Sequence, residues 1–415
     1  MKRRHFLGLT ASAALAGTAW AYWPRQGFFN PCLSKLPKAI ADSTLLRAAW
    51  EGIDPQQVWD CHVHLIGIGD AGSGAWSNPQ LDSWWHPIQY AQKLFYLNAG
   101  CVHEAKGRVD QSYIERLHNL VDGLRPGAKL MLLAFDRNHG DDGQADTDSS
   151  SFYTPNTYAS AMAQKHARYF EWIASIHPYR ADAVAALEQA IQGGARAVKW
   201  LPNAMRIDPA SARCDAFYRI MAQHDLPLLS HAGKERAVSG GDTQDYGNPL
   251  KLRRALDLGV RVIVAHCASL GEDTDLDQGP NGALVSSFDL FTRMMQEPRY
   301  QGRLFGDISA MTQYDRAPFL KQILARPEWH TRLLNGSDYP LPGILPIYSA
   351  TSFVEVGLLA ADAVPVLDVI QQHNPLLFDF VLKRSLSLNG VRFPAQVFET
   401  RPFFERATHV DTGPK

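Results

Sequence analysis

The chain has 415 residues, 46% of them hydrophobic, with 41 basic and 42 acidic side chains and a formal net charge of −1. That balance provides no positive field for nucleic acid or an anionic membrane surface, and the length suits one large α/β domain or two smaller ones. Ten tryptophans point to a well-packed body with room for an aromatic-lined pocket.

The first residues run Lys2-Arg3-Arg4-His5-Phe6-Leu7, continue as a small, apolar, uncharged stretch over 6–20, and reach Ala19-Trp20-Ala21 before Tyr22. A basic head, an apolar middle and an A-x-A end are the parts of an export signal. The R-R-x-F-L order resembles the bacterial twin-arginine signal. The resemblance implies export of the folded protein through the twin-arginine translocon, so that the mature chain faces the periplasm or the cell exterior. An uncleaved signal would leave it anchored to the membrane. Residues 22–57, with Pro24, Pro31, Pro37 and a short amphipathic run from Leu45 to Trp50, read as an ordered arm. The five cysteines, Cys32, Cys61, Cys101, Cys214 and Cys267, are scattered without a C-x-x-C, which argues against a disulfide framework and leaves room for one bridge.

From residue 58 onward, short aliphatic runs alternate with helical patterns. Strands are expected at 58–65, 129–135, 170–177, 195–201, 226–231, 260–266, 303–309 and 332–338. Helices are expected at 158–169, 181–192, 214–225, 249–258, 283–297 and 317–326, with Gly193-Gly194 and Gly259 at C-caps. Repeated strand-helix units fit a (β/α)₈ TIM barrel, and no G-x-G-x-x-G supports the alternative, a doubly wound open sheet. Long insertions at 66–128 and 136–157 follow the first two strands. The second is Asp-rich without calcium-loop spacing and reads as a solvated loop. Helical material over 350–388 extends the barrel, whose domain spans 58–390, and 391–415 reads as a tail.

The stretch V-W-D-C-H-V-H ends the first strand. Alternation places His62 and His64 on one face and turns Cys61 and Val63 to the other. Two imidazoles suit zinc or a similar divalent ion, given further ligands and an open position. Lys199, His231, His266 and Asp338 fall at the ends of the fourth, fifth, sixth and eighth strands, at the C-terminal mouth where barrel enzymes carry their sites. Cys61 and Cys267 read as small packing residues beside these positions. Asp60 is placed to receive an imidazole N–H, and Asp307-Ile308-Ser309 ends the seventh strand.

The segments D-C-H-V-H, V-K-W-L-P, S-H-A-G, A-H-C and G-S-D-Y-P resemble, in order and spacing, the strand motifs of the metal-dependent amidohydrolase superfamily, in its amidohydrolase-2-like branch. The resemblance implies one or two divalent ions, zinc foremost. His62, His64 and Asp338 would ligate the first, and His231 and His266 the second or the substrate. Lys199 would be either a carboxylated bridge between two ions or a substrate contact. Asp338 would be the general base, with His266 catalytic beside it. The implied reaction is attack of metal-activated water on an amide, ester or lactone bond of a small molecule. The alternatives are a decarboxylase or hydratase of a small aromatic or unsaturated acid, and an exported barrel that binds without catalysis. Arg180, Asn203, Glu235 and Tyr339, each just beyond a strand end, are expected to contact substrate, Arg180 as a carboxylate clamp. Assembly into a homo-oligomer is left open.

Overall fold

The computed structural model describes residues 29–140, 142–238 and 243–405. The export signal expected over 1–21 and residues 406–415 lie outside the described residues. The main strands are β1 (Trp59–His64), β2 (Lys129–Leu133), β3 (Phe170–Ile173), β4 (Val198–Trp200), β5 (Leu228–His231), β6 (Val262–Ala265), β7 (Leu304–Asp307) and β8 (Leu333–Leu334). They form two parallel sheets, ordered β1-β2-β3 and β8-β7-β6-β5-β4. The edges of the two sheets meet through parallel bridges, Ala174 with Val198 and Val63 with Tyr339. Asp338 N–H donates to His62 O and His64 N–H to Tyr339 O, both at 2.8 Å, so the chain beyond β8 runs beside β1.

Strand residues alternate between two apolar cores. Met131, Leu133, Ile173, Ala197, Leu229 and Ile263 belong to an inner cluster, while the intervening Leu130, Leu132, Trp172, Val198, Leu228 and Val262 pack outward against helices. Two positions beyond Ala197 and Leu229 on the same faces come Lys199 and His231. Alternation fails in β1, where Cys61 joins the inner cluster and Val63 the outer one. The register of β1 against β2 shifts between Asp60 and Val63, which re-aims the side chains there.

The helices are α1 (Pro87–Ala99) and α2 (Val109–Asp122) after β1, then α3 (Asn156–Lys165), α4 (Ala183–Gln192), α5 (Asp215–Gln223), α6 (Arg253–Asp257), α7 (Ser287–Gln296) and α8 (Ala317–Leu324). Two more, α9 (Val364–His373) and α10 (Pro375–Ser385), lie in the expected C-terminal helical stretch. The Asp-rich segment is more tied down than its composition suggests. Asn138–His139 pairs with Ala145–Asp146, and Phe152–Tyr153 with Trp76–Ser77 of the preceding insertion.

Residues 391–405 are a packed part of the body, correcting the expectation of a tail. Asn335 N–H donates to Val397 O at 2.8 Å, the Thr400 hydroxyl donates to Trp59 O, and Phe404 is fully buried in the inner cluster. Phe404 covers apolar surface that water would otherwise reach, a burial favoured by the hydrophobic effect. The arm before β1 is fastened too. Trp50 packs on Phe380 with ring centroids 4.3 Å apart, Arg384 donates to Ala49 O and Glu51 O, and Cys32 is disulfide-bonded to Cys101.

Candidate metal centre

At the C-terminal ends of the strands, ligand atoms of His62, His266 and Asp338 lie within 4.8 Å of one another, and all three residues are buried. Their orientation comes from Asp307, the last residue of β7. Its Oδ2 accepts from His62 Nδ1–H at 2.8 Å, and its Oδ1 accepts the backbone N–H groups of His266 (2.9 Å) and Ser309 (3.0 Å). His266 Nδ1 in turn donates to Ser309 O at 2.9 Å. With both Nδ1 atoms occupied, each neutral imidazole presents its Nε2 lone pair, the arrangement that fixes the tautomer of metal-binding histidines. Burial and the nearby Lys199 lower His62, and burial lowers His266 to about 3, so both are neutral at pH 7. Burial alone would raise Asp338, but the surrounding His62, His266 and His64 outweigh it and hold the carboxyl well below its ordinary value.

Local backbone geometry serves this convergence. His266, Cys267 and Ala268 are consecutive left-handed residues, and Asp338 is left-handed as well. Such conformations cost of order 1–3 kcal/mol each and cluster at functional sites. Glycine is required at 336, where an added Cβ would stand 2.6 Å from His62 Cβ.

The remaining expected ligands surround the trio. His64, partly exposed, donates from Nε2 to Asp338 Oδ1 at 3.0 Å, and Lys199 Nζ lies 3.3 Å from His62 Nε2. Burial lowers the Lys199 ammonium, favouring the neutral amine. His231 is held neutral by burial, and its buried Nε2 has no hydrogen-bond partner among the described residues. Glu235 Oε2 is 3.5 Å away without hydrogen-bond geometry. A buried nitrogen lone pair without a donor, beside two aligned imidazoles and a carboxylate, is the donor chemistry a divalent cation would satisfy. The residues present therefore fit the expected ion.

The trio and its neighbours open into a cavity of about 390 Å³, walled by apolar groups that include Leu81, Leu97, Phe135, Phe152, Val238 and Ile344. That volume suits a small-molecule ligand. Glu235 lines the cavity as expected, and it is buried, with Oε1 accepting from the Val238 N–H at 2.9 Å and burial raising its carboxyl.

Three expected substrate contacts are placed elsewhere. Asn203 is fully buried and donates to Gly233 O and Gln244 O, so it ties the loop after β5. Arg180 forms a fork with Asp182 at 2.8 Å and reaches Asp136 at 3.0 Å, so its charge is paired with two carboxylates. Tyr339 is buried against Ala99 O, 3.4 Å from its hydroxyl, outside the cavity wall. Asp60 differs as well. Its Oδ1 accepts the backbone N–H groups of Ser337 (2.8 Å) and His62 (3.2 Å), because the His62 ring faces Asp307. Burial raises Asp60 to about 7.

Sequence reasoning did not find Tyr96, whose hydroxyl donates to Ala237 O at 2.6 Å, or Arg316, both of which line the cavity. Neither sits in a recognisable motif. The aromatic wall residue Phe152 comes from the segment that reads as a solvated loop.

A buried cluster of histidines and a carboxylate at the ends of parallel strands defines a site of the metal-dependent enzyme class. The chain belongs to the amidohydrolase family, which it matches over residues 59–350 and whose members are metal-dependent enzymes. No curated protein matches the chain. Among solved structures it is similar to an uncharacterised TIM-barrel protein from Bordetella bronchiseptica, with 14% identity, 76% of this chain and 94% of that one covered, and a TM-score of 0.46. A 5-carboxyvanillate decarboxylase from Sphingomonas paucimobilis matches at 9% identity, covering 84% and 99%, with a TM-score of 0.47. A 4-oxalomesaconate hydratase from Rhodopseudomonas palustris matches at 12% identity, covering 84% and 95%, with a TM-score of 0.43.

Proposed function

We propose that this protein is a metal-dependent hydrolase that cleaves an amide, ester or lactone bond of a small molecule. One observation carries the reading: two neutral imidazoles turn their Nε2 atoms toward an ionised Asp338 at the edge of an apolar cavity. His62, His266 and Asp338 would hold a divalent ion, zinc by preference, with His64 and His231 completing or extending the set. Such an ion supplies Lewis acidity toward a carbonyl and acidifies water. Asp338 accepts the proton of the attacking water and returns it to the leaving group. The apolar walls exclude bulk water from the site.

We read the two parallel sheets as arcs of one (β/α)₈ barrel, a reading supported by the bridges that join their edges at Ala174 and Val63. Export through the twin-arginine translocon to the periplasm rests on the sequence of residues 1–21, and the Cys32–Cys101 disulfide is in keeping with an oxidising compartment. Among the described residues no helix is long and apolar enough to cross a membrane.

Metal content and turnover test the proposal together. Protein purified without chelator should carry one or two ions per chain and hydrolyse members of an ester, amide and lactone panel. Two ions would assign Lys199 to a carbamate bridge, and one would make it a substrate contact. No bound ion after reconstitution with zinc or manganese overturns the proposal. Release of CO₂ from an aromatic or unsaturated acid, with no hydrolysis, replaces it with the decarboxylase reading.

A further inference from the structure

Five basic side chains line the cavity, and their partners differ. Lys93 is paired with Asp82 at 2.7 Å and Arg236 with Asp315 at 3.2 Å, while Lys234 is exposed. Lys199 belongs to the metal centre. Arg316 is different: it is 6% exposed, and among the described residues no carboxylate lies within ion-pair distance of it. Its Nε donates to Gln313 Oε1 at 3.2 Å and its Nη1 to the buried Ser269 hydroxyl, whereas Nη2 makes no hydrogen bond among the described residues. Gln313 is itself oriented, donating from Nε2 to the Tyr348 hydroxyl at 3.2 Å. The guanidinium is thus fixed at its Nε and Nη1 sides, with N–H groups of Nη1 and Nη2 left over.

Two parallel N–H bonds from one guanidinium match the two oxygens of a carboxylate. Asp315, Asp338 and Glu235 act on Arg316 only from beyond contact distance, burial still costs the cation, and an anion delivered to its N–H groups recovers part of that cost. Ser269 follows the left-handed turn of His266–Ala268, so the same loop that aims His266 holds the guanidinium.

We propose that Arg316 binds a carboxylate of the substrate through its free N–H edge, so that the preferred substrates are small organic acids with an apolar body. The apolar body would lie against Leu97, Phe135, Phe152 and Val238 while the acid group sits on Arg316. This rests on reading the cavity as the substrate site, and it is independent of which bond is broken there. Arg316 takes the specificity role expected of Arg180, whose guanidinium is paired with Asp182 and Asp136 and stands outside the cavity lining.

Binding of benzoate, isophthalate and fumarate, each beside its neutral amide, tests the proposal by calorimetric titration of the full chain, as purified and after chelation. At least one acid should bind ten-fold or more tighter than its amide, and Arg316→Met should erase that preference in both preparations. Should Arg316→Met fail to fold, as thermal unfolding without ligand would reveal, Arg316→Lys carries the test. It keeps the charge, loses the fork, and should weaken the acid at least five-fold without changing the amide. An acid preference that survives both substitutions overturns the proposal, as do amides that bind as tightly as acids, or acids that do not bind. If chelation abolishes acid binding and Arg316→Met does not, the acid sits on the metal centre and the proposal also fails. Arg316-dependent acid binding without hydrolysis of any panel compound would sink the hydrolase reading and leave this one standing.

Discussion

At the N-terminal ends of the strands, charged groups satisfy one another within reach of water. Lys129 and Arg196 both pair with Glu171, at 2.7 and 2.9 Å, and both cations, with Arg401, stand over the ring of Trp59. Below them Phe404 closes the inner cluster. At the C-terminal ends the polar groups are buried, the backbone turns left-handed at His266–Ala268 and Asp338, and His231 Nε2 has no hydrogen-bond partner among the described residues. One end pairs its charges and closes its apolar cluster, and the other buries its ionisable groups. The contrast separates what holds the fold from what awaits a ligand, as expected for strands whose C-terminal ends carry the chemistry.

Substitutions at the two ends should therefore fail in different ways. Asp338→Asn keeps the shape but removes the proton acceptor. Steady-state kinetics on a hydrolysed substrate should show a loss of about 10³-fold, with unfolding temperature little changed. Retention of full activity would remove Asp338 from its role. At the opposite end, Phe404→Ala should cost about 3–5 kcal/mol of stability in urea titration, with unchanged activity per folded molecule. A loss of activity without a loss of stability would break the comparison.

Acid should weaken the mouth, where several buried histidines are held neutral. His177, in the loop after β3, donates from Nε2 to Met205 O at 2.8 Å and accepts the Tyr179 N–H on Nδ1 at 3.2 Å, so only the neutral ring satisfies both. Burial lowers it from 6.5 to about 3. The unfolded chain therefore binds this proton below pH 6.5 while the folded chain refuses it until about 3, and stability falls as pH drops through that window. At pH 5 the loss from His177 should be about 2 kcal/mol, and His177→Gln should narrow the difference between urea midpoints at pH 7 and pH 5. An unchanged slope would place the acid sensitivity elsewhere. The smallest effect is expected at the N-terminal end. Glu171→Gln breaks two partly exposed ion pairs, which should cost no more than about 1 kcal/mol and fade in high salt.

The periodicity of the chain located the eight strands and most of the helices, and their boundaries moved by a few residues. Strand 332–338 moved most, keeping ladder geometry only at Leu333–Leu334. Local patterning also placed every histidine of the centre at a strand end. It misplaced the supporting contacts, because these depend on which residues from distant elements compete for the same group. Arg180 was a free guanidinium in sequence and one paired with two carboxylates in space, whereas Arg316 had no motif and keeps N–H groups unused. Asn203 was spent on the loop at Gly233 and Gln244. The tail misled for a similar reason, since burial of Phe404 depends on an apolar end formed by residues far away in the chain.

Composition, strand periodicity and the spacing of His62, His64, Lys199, His231, His266 and Asp338 were enough to define a parallel α/β body with a donor cluster at one end. Those features are short-ranged, because side chains alternate along a strand and each unit repeats at similar length. Tertiary structure alone decided that Asp307 holds the His62 ring through Nδ1 and His266 through its backbone N–H, that Gly336 gives His62 its space, and that the inner cluster is closed by Phe404. It also decided which arginine remains free to meet a ligand. Hydrogen bonds and burial are settled by proximity between residues tens to hundreds of positions apart, and no local pattern encodes that competition.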